Sequence, residues 1–287
     1  MKILITGSNG VIGKEIAQRL KKNKKNKLTL LGKKKDLTKQ INLNLKPELV
    51  IHCAAKHPFS KKGGNMRNIY STNMKITKNI IKFCNENGVK KVIYLSAILV
   101  YGLIKKKIVS ESQTPINPNL YGKSKFLSEK LFCKKNNKFK TICLRIPGVF
   151  TLDLTKDHPL IIKILKKIIK NKDIHIYNYN KKFNNICDSE EIVKFINIIL
   201  KNKNIQNGIY NFSSSRPIRF IQVIKLMKKI FNSHSRIINK KIDKKSFIIS
   251  NKKIKNDFNL KISTTKNIVT RCCQQILKKN IYLSHLT

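Results

Sequence analysis

Tyr121 and Lys125 are the residues whose types and spacing best suit proton transfer. They stand four apart in the segment PNLYGKSK, at the start of a helical run, so both side chains lie on one helix face. A nearby ammonium group favours the phenolate and lowers the tyrosine pKa from about 10, which allows proton exchange with a hydroxyl or carbonyl oxygen near neutral pH. The alternative is a solvated pair on an exposed helix. Because this pair follows a strand and loop where an active site is expected, we favour the catalytic interpretation.

Three glycines near the N-terminus form a second pattern with chemical meaning. Gly7, Gly10 and Gly13 follow the apolar run 3–5 and precede a helical pattern, the context that makes this spacing significant. Gly7 permits a tight turn, Gly10 admits a pyrophosphate and Gly13 lets the helix pack on the strand, while the helix start offers free N–H groups. An ordinary strand-to-helix turn is the less favoured alternative. We therefore expect NAD or NADP to contact Gly7, Ser8, Asn9, Gly10, Val11, Ile12 and Gly13.

The residues after the second apolar run bear on the choice between the two dinucleotides. An acid often follows this strand and binds the adenosine ribose, but here Leu31 is followed by Gly32 and by lysines at 33–35. A 2'-phosphate would be tolerated there. Lysine is too common in this chain for the run alone to decide, and Asp36 and Leu37 could still reach the adenine side. The cofactor prediction therefore stays NAD or NADP.

Short apolar runs alternate with helical patterns through the first half of the chain. The runs at 3–5, 28–31, 49–53, 92–95 and 141–146 predict buried parallel strands, and the patterns at 11–20, 65–85 and 121–134 predict helices. This alternation predicts an α/β fold with a Rossmann-type doubly wound parallel sheet over residues 1–150. Residues 151–287 are predicted to form a smaller C-terminal substrate-binding lobe, interleaved with returning strands and helices of the first domain.

The charge of the chain is extreme. Its 62 Lys and Arg against 14 Asp and Glu give a formal charge of +48, which would attract polyanions. The excess is nearly all lysine, spread along the chain without a basic stripe interleaved with aromatics. A compositional bias explains it equally well, so nucleic-acid binding is an open but less favoured prediction.

Compartment and metal content follow from what the sequence lacks. No apolar stretch is long and unbroken enough to cross a bilayer, and the first residues lack the pattern of a secretory signal, so we expect a cytoplasmic protein. The seven cysteines have no metal-binding spacing. We expect reduced thiols and no metal site.

The motifs TGSNGVIG and YGKSK together resemble the extended branch of the short-chain dehydrogenase/reductase superfamily, the NAD-dependent epimerases and dehydratases acting on nucleotide sugars. Further segments carry the resemblance over nearly the whole chain: HCAA from His52, NMKITKNII from Asn73, YLSAILVYG from Tyr94, LRIPGVF from Leu144, FNNI from Phe183 and YNFSS from Tyr210. The resemblance implies that Tyr121 is the acid/base and Lys125 its electrostatic partner. It also implies cofactor contacts at Ala54, Ala55, Asn73 and Pro147.

One position departs from the family pattern. Four residues before Tyr101 the family usually has Ser or Thr to hydrogen-bond the reacting oxygen, whereas this chain has Ala97. Losing such a donor lowers a rate roughly 10²-fold to 10³-fold. The neighbouring Ser96, which a strand would normally point to the opposite face, is the candidate replacement and is included among the catalytic and cofactor-binding residues.

Two functional hypotheses follow. In the first, the chain is a nucleotide-sugar epimerase or reductase that uses transient hydride transfer and acts as a homodimer. A dehydratase is less favoured, because Ala97, Ile98 and Leu99 supply no extra acid. In the second, it is a catalytically weak dinucleotide-binding protein whose basic surface holds RNA or an acidic partner. The Tyr121 and Lys125 pair favours the first hypothesis.

Overall fold

A computed structural model describes residues 1–58, 65–155, 159–240 and 246–279. Within them the chain divides into two compact units. The first comprises Met1–Leu103, Glu111–Ile146 and Ile192–Asn211, and the second the described residues of Ile104–Ser110, Pro147–Glu191 and Phe212–Thr287.

Strands and helices alternate along the first half of the chain. The strands are β1 (Lys2–Thr6), β2 (Lys27–Leu31), β3 (Leu49–His52), β4 (Lys91–Ala97), β5 (Ile108–Val109), β6 (Lys140–Ile146), β7 (Gly148–Phe150), β8 (Ile174–Ile176), β9 (Lys182–Phe183), β10 (Ile186–Asp188), β11 (Gly208–Asn211), β12 (Ile218–Arg219), β13 (Ile237–Asn239) and β14 (Ile248–Ile249). The helices are α1 (Val11–Lys21), α2 (Met66–Glu86), α3 (Leu120–Phe132), α4 (Leu160–Ile169), α5 (Ser189–Lys201), α6 (Phe220–Ile230), α7 (Lys252–Phe258) and α8 (Thr265–Lys278). A 3₁₀ turn, Ile98–Tyr101, follows β4.

The first unit is built on a six-stranded parallel sheet with the order β11-β6-β4-β3-β1-β2. Its strands read as continuous apolar runs because helical connections cover both faces of a parallel sheet. The predicted α/β class with a doubly wound parallel sheet is confirmed, and the five predicted strands match β1, β2, β3, β4 and β6 within two residues at each end.

The order of the strands places a topological switch point between β1 and β3. From β1 the chain moves outward to β2, then returns to add β3, β4, β6 and β11 on the other side. In open α/β sheets, ligands bind at the carboxyl ends of the strands beside this point. The loops after β1 and β3 therefore flank the expected dinucleotide site.

Helices α2 and α3 pack on one another in the first unit and present their apolar sides to the core. That core contains Leu4, Val50, Val92 and Cys143 from the sheet and Ile80 and Phe83 from α2. Buried hydroxyls also join the two helices, since Thr77 Oγ1 and Ser128 Oγ lie 2.7 Å apart.

The second unit has its own hydrophobic core. Helix α6 packs against α4 and α8. Strands β7 and β10 form a two-stranded pair, as do β8 and β13, and both pairs contribute buried residues to this core. Apolar residues of α4, α6 and α8 converge there, including Leu165, Ile224 and Ile268. That this unit binds the substrate stays a prediction. None of the described helices is both long enough and apolar enough to span a membrane.

Candidate active site

The glycine loop closes tightly between β1 and α1. Gly7 adopts a positive φ of 69°, its N–H donates to Leu31 O at 2.8 Å, and Gly10 N donates to Gly7 O at 2.9 Å. A Cβ on Gly13 would overlap Gly7 O and stand 2.9 Å from Gly7 C, so only glycine lets α1 begin this close to the strand.

The loop fits the phosphates of a dinucleotide. Gly10 is the N-cap of α1, and as a glycine it has no side chain with which to cap the helix. The first-turn N–H groups of a helix have no intrahelical acceptor, and together with the helix dipole they favour an anion. A Cβ on Gly10 would meet only Gly7 O, at 3.1 Å, so the backbone there is open to a close approach.

Ala54 lies directly against this loop. A Cβ on Gly7 would come within 2.7 Å of Ala54 N, and Ala54 N lies 3.4 Å from Thr6 Oγ1. Ala54 and Ala55 are half-buried where the chain leaves β3, next to β1 in the sheet. The structure thus brings together the glycine loop and the two alanines that the family resemblance assigns to the cofactor.

Asn73 and Leu37 are both buried. Asn73 Oδ1 accepts from Lys56 N at 2.8 Å, and its Nδ2 donates to Lys56 O at 3.0 Å and Ser124 Oγ at 3.2 Å, so it holds the segment after β3 beside α3. Leu37 packs in the hydrophobic core with Leu31. The predicted cofactor contacts of Asn73 and Leu37 stay predictions.

Helix α3 carries Tyr121 and Lys125. Asn119 caps it by accepting from Gly122 N at 2.8 Å. Gly122 is required because a Cβ there would overlap Leu99 O in the 3₁₀ turn after β4. This close packing seats the helix against the carboxyl end of β4, where Lys125 Nζ donates to Leu95 O at 2.8 Å.

Lys125 lies next to two tyrosine rings, and no carboxylate among the described residues forms an ion pair with its ammonium group. Its side chain is buried, and Nζ lies 4.8 Å from the centroid of the Tyr94 ring and 5.9 Å from that of Tyr121. Desolvation by the surrounding protein lowers the pKa of Lys125 to about 8, opposed by weaker interactions with Cys53 and Glu129. The ammonium form is therefore expected to dominate at neutral pH.

The expected lowering of the tyrosine pKa is wrong for this structure. Desolvation raises the pKa of Tyr121 to about 12. The ammonium of Lys125 lies near the phenol ring but is engaged by a backbone carbonyl, and its attraction does not offset the loss of water. Tyr121 is consequently a protonated phenol at neutral pH.

Ser96 has a different set of contacts from those expected of a catalytic donor. Its hydroxyl donates to Glu129 Oε1 at 2.5 Å, and the residue is buried. Ala97, the last residue of β4, is half-buried and offers only a methyl group. Ser96 is thus bonded within the protein interior, and its catalytic and cofactor-binding part stays a prediction.

Glu129 is a functional-site neighbour that the sequence reasoning missed. It accepts from Arg145 Nε at 3.0 Å and from Arg145 Nη2 at 2.7 Å, and both side chains are buried. The Arg145 guanidinium also lies 4.8 Å from the Tyr101 ring centroid. A signal was present, because Tyr121, Lys125 and Glu129 are spaced by four residues and share one face of α3.

Two further candidates lie at the ends of strands. Asp36, beyond β2, is exposed, and its Oδ1 accepts from Thr38 N at 2.9 Å and Thr38 Oγ1 at 2.7 Å. Pro147 directly follows β6 and is the first residue of the Pro147–Glu191 segment of the second unit. Within the described ranges, no three His, Cys, Asp or Glu side chains are grouped so that they could hold a metal ion.

Fold and site together define a dinucleotide-binding α/β protein with a tyrosine and lysine pair on the helix beside β4. A sequence profile of the NAD dependent epimerase/dehydratase family matches residues 3–212. The chain belongs to this family, which confirms the resemblance to the nucleotide-sugar branch of the extended short-chain dehydrogenases/reductases and the expectation of NAD or NADP as cofactor.

Individual relatives are distant. An uncharacterized protein of Methanocaldococcus jannaschii is 25% identical over 192 residues, which cover 66% of this chain and 58% of that protein. An uncharacterized UDP-glucose epimerase of Bacillus subtilis is 23% identical over 262 residues, covering 80% of this chain and 82% of that protein. The match to the first relative thus spans less than two thirds of its length.

The fold is also found among solved structures. The crystal structure of a UDP-glucose 4-epimerase of Thermotoga maritima with UDP-glucose superposes with a TM-score of 0.80. It is 18% identical, and the superposition covers 98% of this chain and 100% of that one. At this identity the likeness establishes the fold alone.

Proposed function

We propose that this chain is an NAD(P)-dependent enzyme that transfers hydride to or from a sugar carbon of a nucleotide sugar, as an epimerase or a reductase. The observation that carries the proposal is the presence, in one compact unit, of a glycine loop suited to phosphates and of Lys125 bound to Leu95 O beside Tyr121. Relatives named as UDP-glucose epimerases support the substrate class.

The nicotinamide ring, when bound, supplies the reversible acceptance and donation of hydride. Tyr121 then exchanges one proton with the sugar oxygen whose carbon gains or loses that hydride. Lys125, oriented by Leu95 O, provides the positive charge that steadies a phenolate when the proton leaves Tyr121. In this proposal its ammonium also donates to the ribose that carries the nicotinamide.

The resting protonation state of Tyr121 is the one that the reductive step uses. Because its pKa is about 12, the phenol is protonated at neutral pH and ready to donate to a carbonyl oxygen. Reduction of a keto sugar adds hydride to the carbonyl carbon and this proton to the carbonyl oxygen. For a reductase, these two transfers are the whole reaction. In an epimerase the same step is the second half of the cycle, after Tyr121 has accepted a proton from a hydroxyl.

Turnover of UDP-, GDP- and dTDP-linked sugars by wild type and by Tyr121→Phe tests the proposal. We expect Tyr121→Phe to lower kcat at least about 100-fold, since general acid–base catalysis contributes typically 10²-fold to 10⁴-fold. Tyr70→Phe is the matched control, because Tyr70 is a half-buried tyrosine on α2, and it should leave kcat unchanged.

The same assay separates the two activities. A reductase consumes one reduced nicotinamide per sugar converted, whereas an epimerase interconverts two sugars with no net change in nicotinamide. If wild type and Tyr121→Phe were equally inert while RNA bound tightly at physiological salt, the enzyme proposal would be overturned. A homodimer and nucleic-acid binding stay predictions.

A further inference from the structure

The end of β2 lies beside the glycine loop. Leu31 O accepts from Gly7 N at 2.8 Å and from Ser8 N at 3.2 Å, so the residues that follow Leu31 are anchored next to the predicted phosphate site. At this place dinucleotide-binding domains distinguish their ligands: an acid there binds the 2'-hydroxyl of NAD, and a cation accommodates the 2'-phosphate of NADP.

The side chain of Asn9 occupies the space beside Gly32. A Cβ on Gly32 would overlap Asn9 Oδ1 and stand 2.6 Å from Asn9 Cγ. The exposed Asn9 side chain is held there by one hydrogen bond, because its Oδ1 accepts from Lys33 N at 3.2 Å. An aspartate or glutamate directly after β2 would therefore require displacement of Asn9 and loss of this bond.

Asp36 is the nearest acid along the chain, and one of its oxygens is already engaged. Its Oδ1 accepts both the backbone N–H and the hydroxyl of Thr38, and these bonds lower the pKa of the carboxyl group. The carboxylate thus closes a local turn with Thr38. We take this turn as evidence against a ribose-binding role for Asp36.

Lys33, Lys34 and Lys35 stand between Gly32 and Asp36. The turn that groups them is closed by Lys35 N, which donates to Gly32 O at 3.2 Å. Lys33 and Lys34 are exposed and Lys35 is half-buried, and within the described part of the chain none of the three ammonium groups forms an ion pair. Three uncompensated cations beside a dinucleotide site suit a phosphate dianion.

We propose that the Lys33–Lys35 turn selects NADP(H) over NAD(H) by binding the 2'-phosphate of the adenosine ribose. This inference rests on the proposed function, since it assumes that a dinucleotide binds along the glycine loop. Asn9 is a positioning residue in it, because its side chain lies beside Gly32 and accepts a hydrogen bond from the backbone of Lys33.

Calorimetric titration of the full chain with NADP+ and with NAD+ tests the inference without any turnover. We expect NADP+ to bind at least about 10-fold more tightly, a difference of about 1.4 kcal/mol. The ratio should shrink as sodium chloride is raised, because exposed charges are screened.

Two triple variants of equal charge separate the turn from the general basic surface. Lys33→Ser/Lys34→Ser/Lys35→Ser should weaken NADP+ binding about 10-fold more than NAD+ binding. Lys22→Ser/Lys24→Ser/Lys25→Ser removes three exposed lysines before β2, at the other end of that strand, and should leave the ratio unchanged. Circular dichroism of both variants checks that each is folded.

The outcomes distinguish the inference from the function on which it rests. Equal binding of the two nucleotides by wild type overturns the selection of NADP(H) but leaves the proposed function standing. The selection of NADP(H) is also overturned if Lys33→Ser/Lys34→Ser/Lys35→Ser keeps the wild-type ratio of NADP+ to NAD+ affinity. It is overturned as well if Lys22→Ser/Lys24→Ser/Lys25→Ser loses the preference to the same extent. If neither NADP+ nor NAD+ binds to the folded wild type, the proposed function fails as well.

Discussion

Glu129→Gln removes the negative charge from a buried cluster formed by Ser96, Glu129 and Arg145. The carboxylate accepts from Arg145 Nε and Nη2 and from Ser96 Oγ, and Glu129 itself is fully buried. Glutamine has nearly the same shape and keeps one acceptor oxygen, but it carries no charge. The substitution therefore leaves the buried guanidinium of Arg145 without its counter-charge.

The expected loss in free energy of unfolding follows from the burial of Glu129 and Arg145. Removing one partner of a buried ion pair costs about 3–5 kcal/mol, and because the amide oxygen still accepts one bond we expect about 3 kcal/mol for Glu129→Gln. The matched control is Glu86→Gln on α2. It breaks the pair between Lys82 and Glu86, which is 3.8 Å long and more than half exposed, so its loss should stay within about 0.5 kcal/mol.

Urea unfolding followed by circular dichroism measures both losses, since the chain contains no tryptophan to serve as a fluorescence probe. The double variant Glu129→Gln/Arg145→Met should lose less than the sum of its single variants, because it removes the unpaired charge. If Glu129→Gln were no more destabilising than Glu86→Gln, or the double variant were additive, the reasoning about this cluster would be refuted.

Three other predictions follow from single contacts. Burial lowers the pKa of His52 from 6.5 to about 3, so between these values the unfolded chain binds more protons and the free energy of unfolding falls on acidification, by about 1.4 kcal/mol per pH unit. Urea titrations at pH 7 and pH 5 should give a smaller acid loss for His52→Gln, and an equal loss would contradict the assignment. Gly13→Ala should lower both the stability and the dinucleotide affinity, because its methyl group would overlap Gly7 O. Gly10→Ala should mainly weaken dinucleotide binding. Equal free energies of unfolding for the two variants would contradict this distinction. Ala97→Ser should raise kcat on the order of 10-fold or more, because it supplies a hydroxyl donor for the reacting oxygen. If kcat does not rise above that of wild type, another group already donates that hydrogen bond.

The sequence by itself determined the first unit's secondary structure and the class of its ligand. Runs such as 3–5 and 141–146 are apolar because strands of a parallel sheet are buried on both faces, and that pattern is local. The glycine loop could also be predicted from a local pattern. Gly7 has a positive φ, and a Cβ on Gly13 would overlap Gly7 O, so both requirements for glycine arise within seven residues of sequence. Helical periodicity placed Tyr121 and Lys125 on one face of a helix, and the preceding strand and loop favoured the catalytic interpretation.

Only the tertiary structure decided what those groups can do. The pKa of Tyr121 depends on how much water the packed protein excludes, and the contact of Lys125 with Leu95 O depends on how α3 sits against β4. Ser96 meets Glu129, and Asn9 fills the space at Gly32, across separations of 33 and 23 residues in sequence. Such contacts arise from the order of strands in the sheet, which brings distant segments together and which no local pattern of residues specifies.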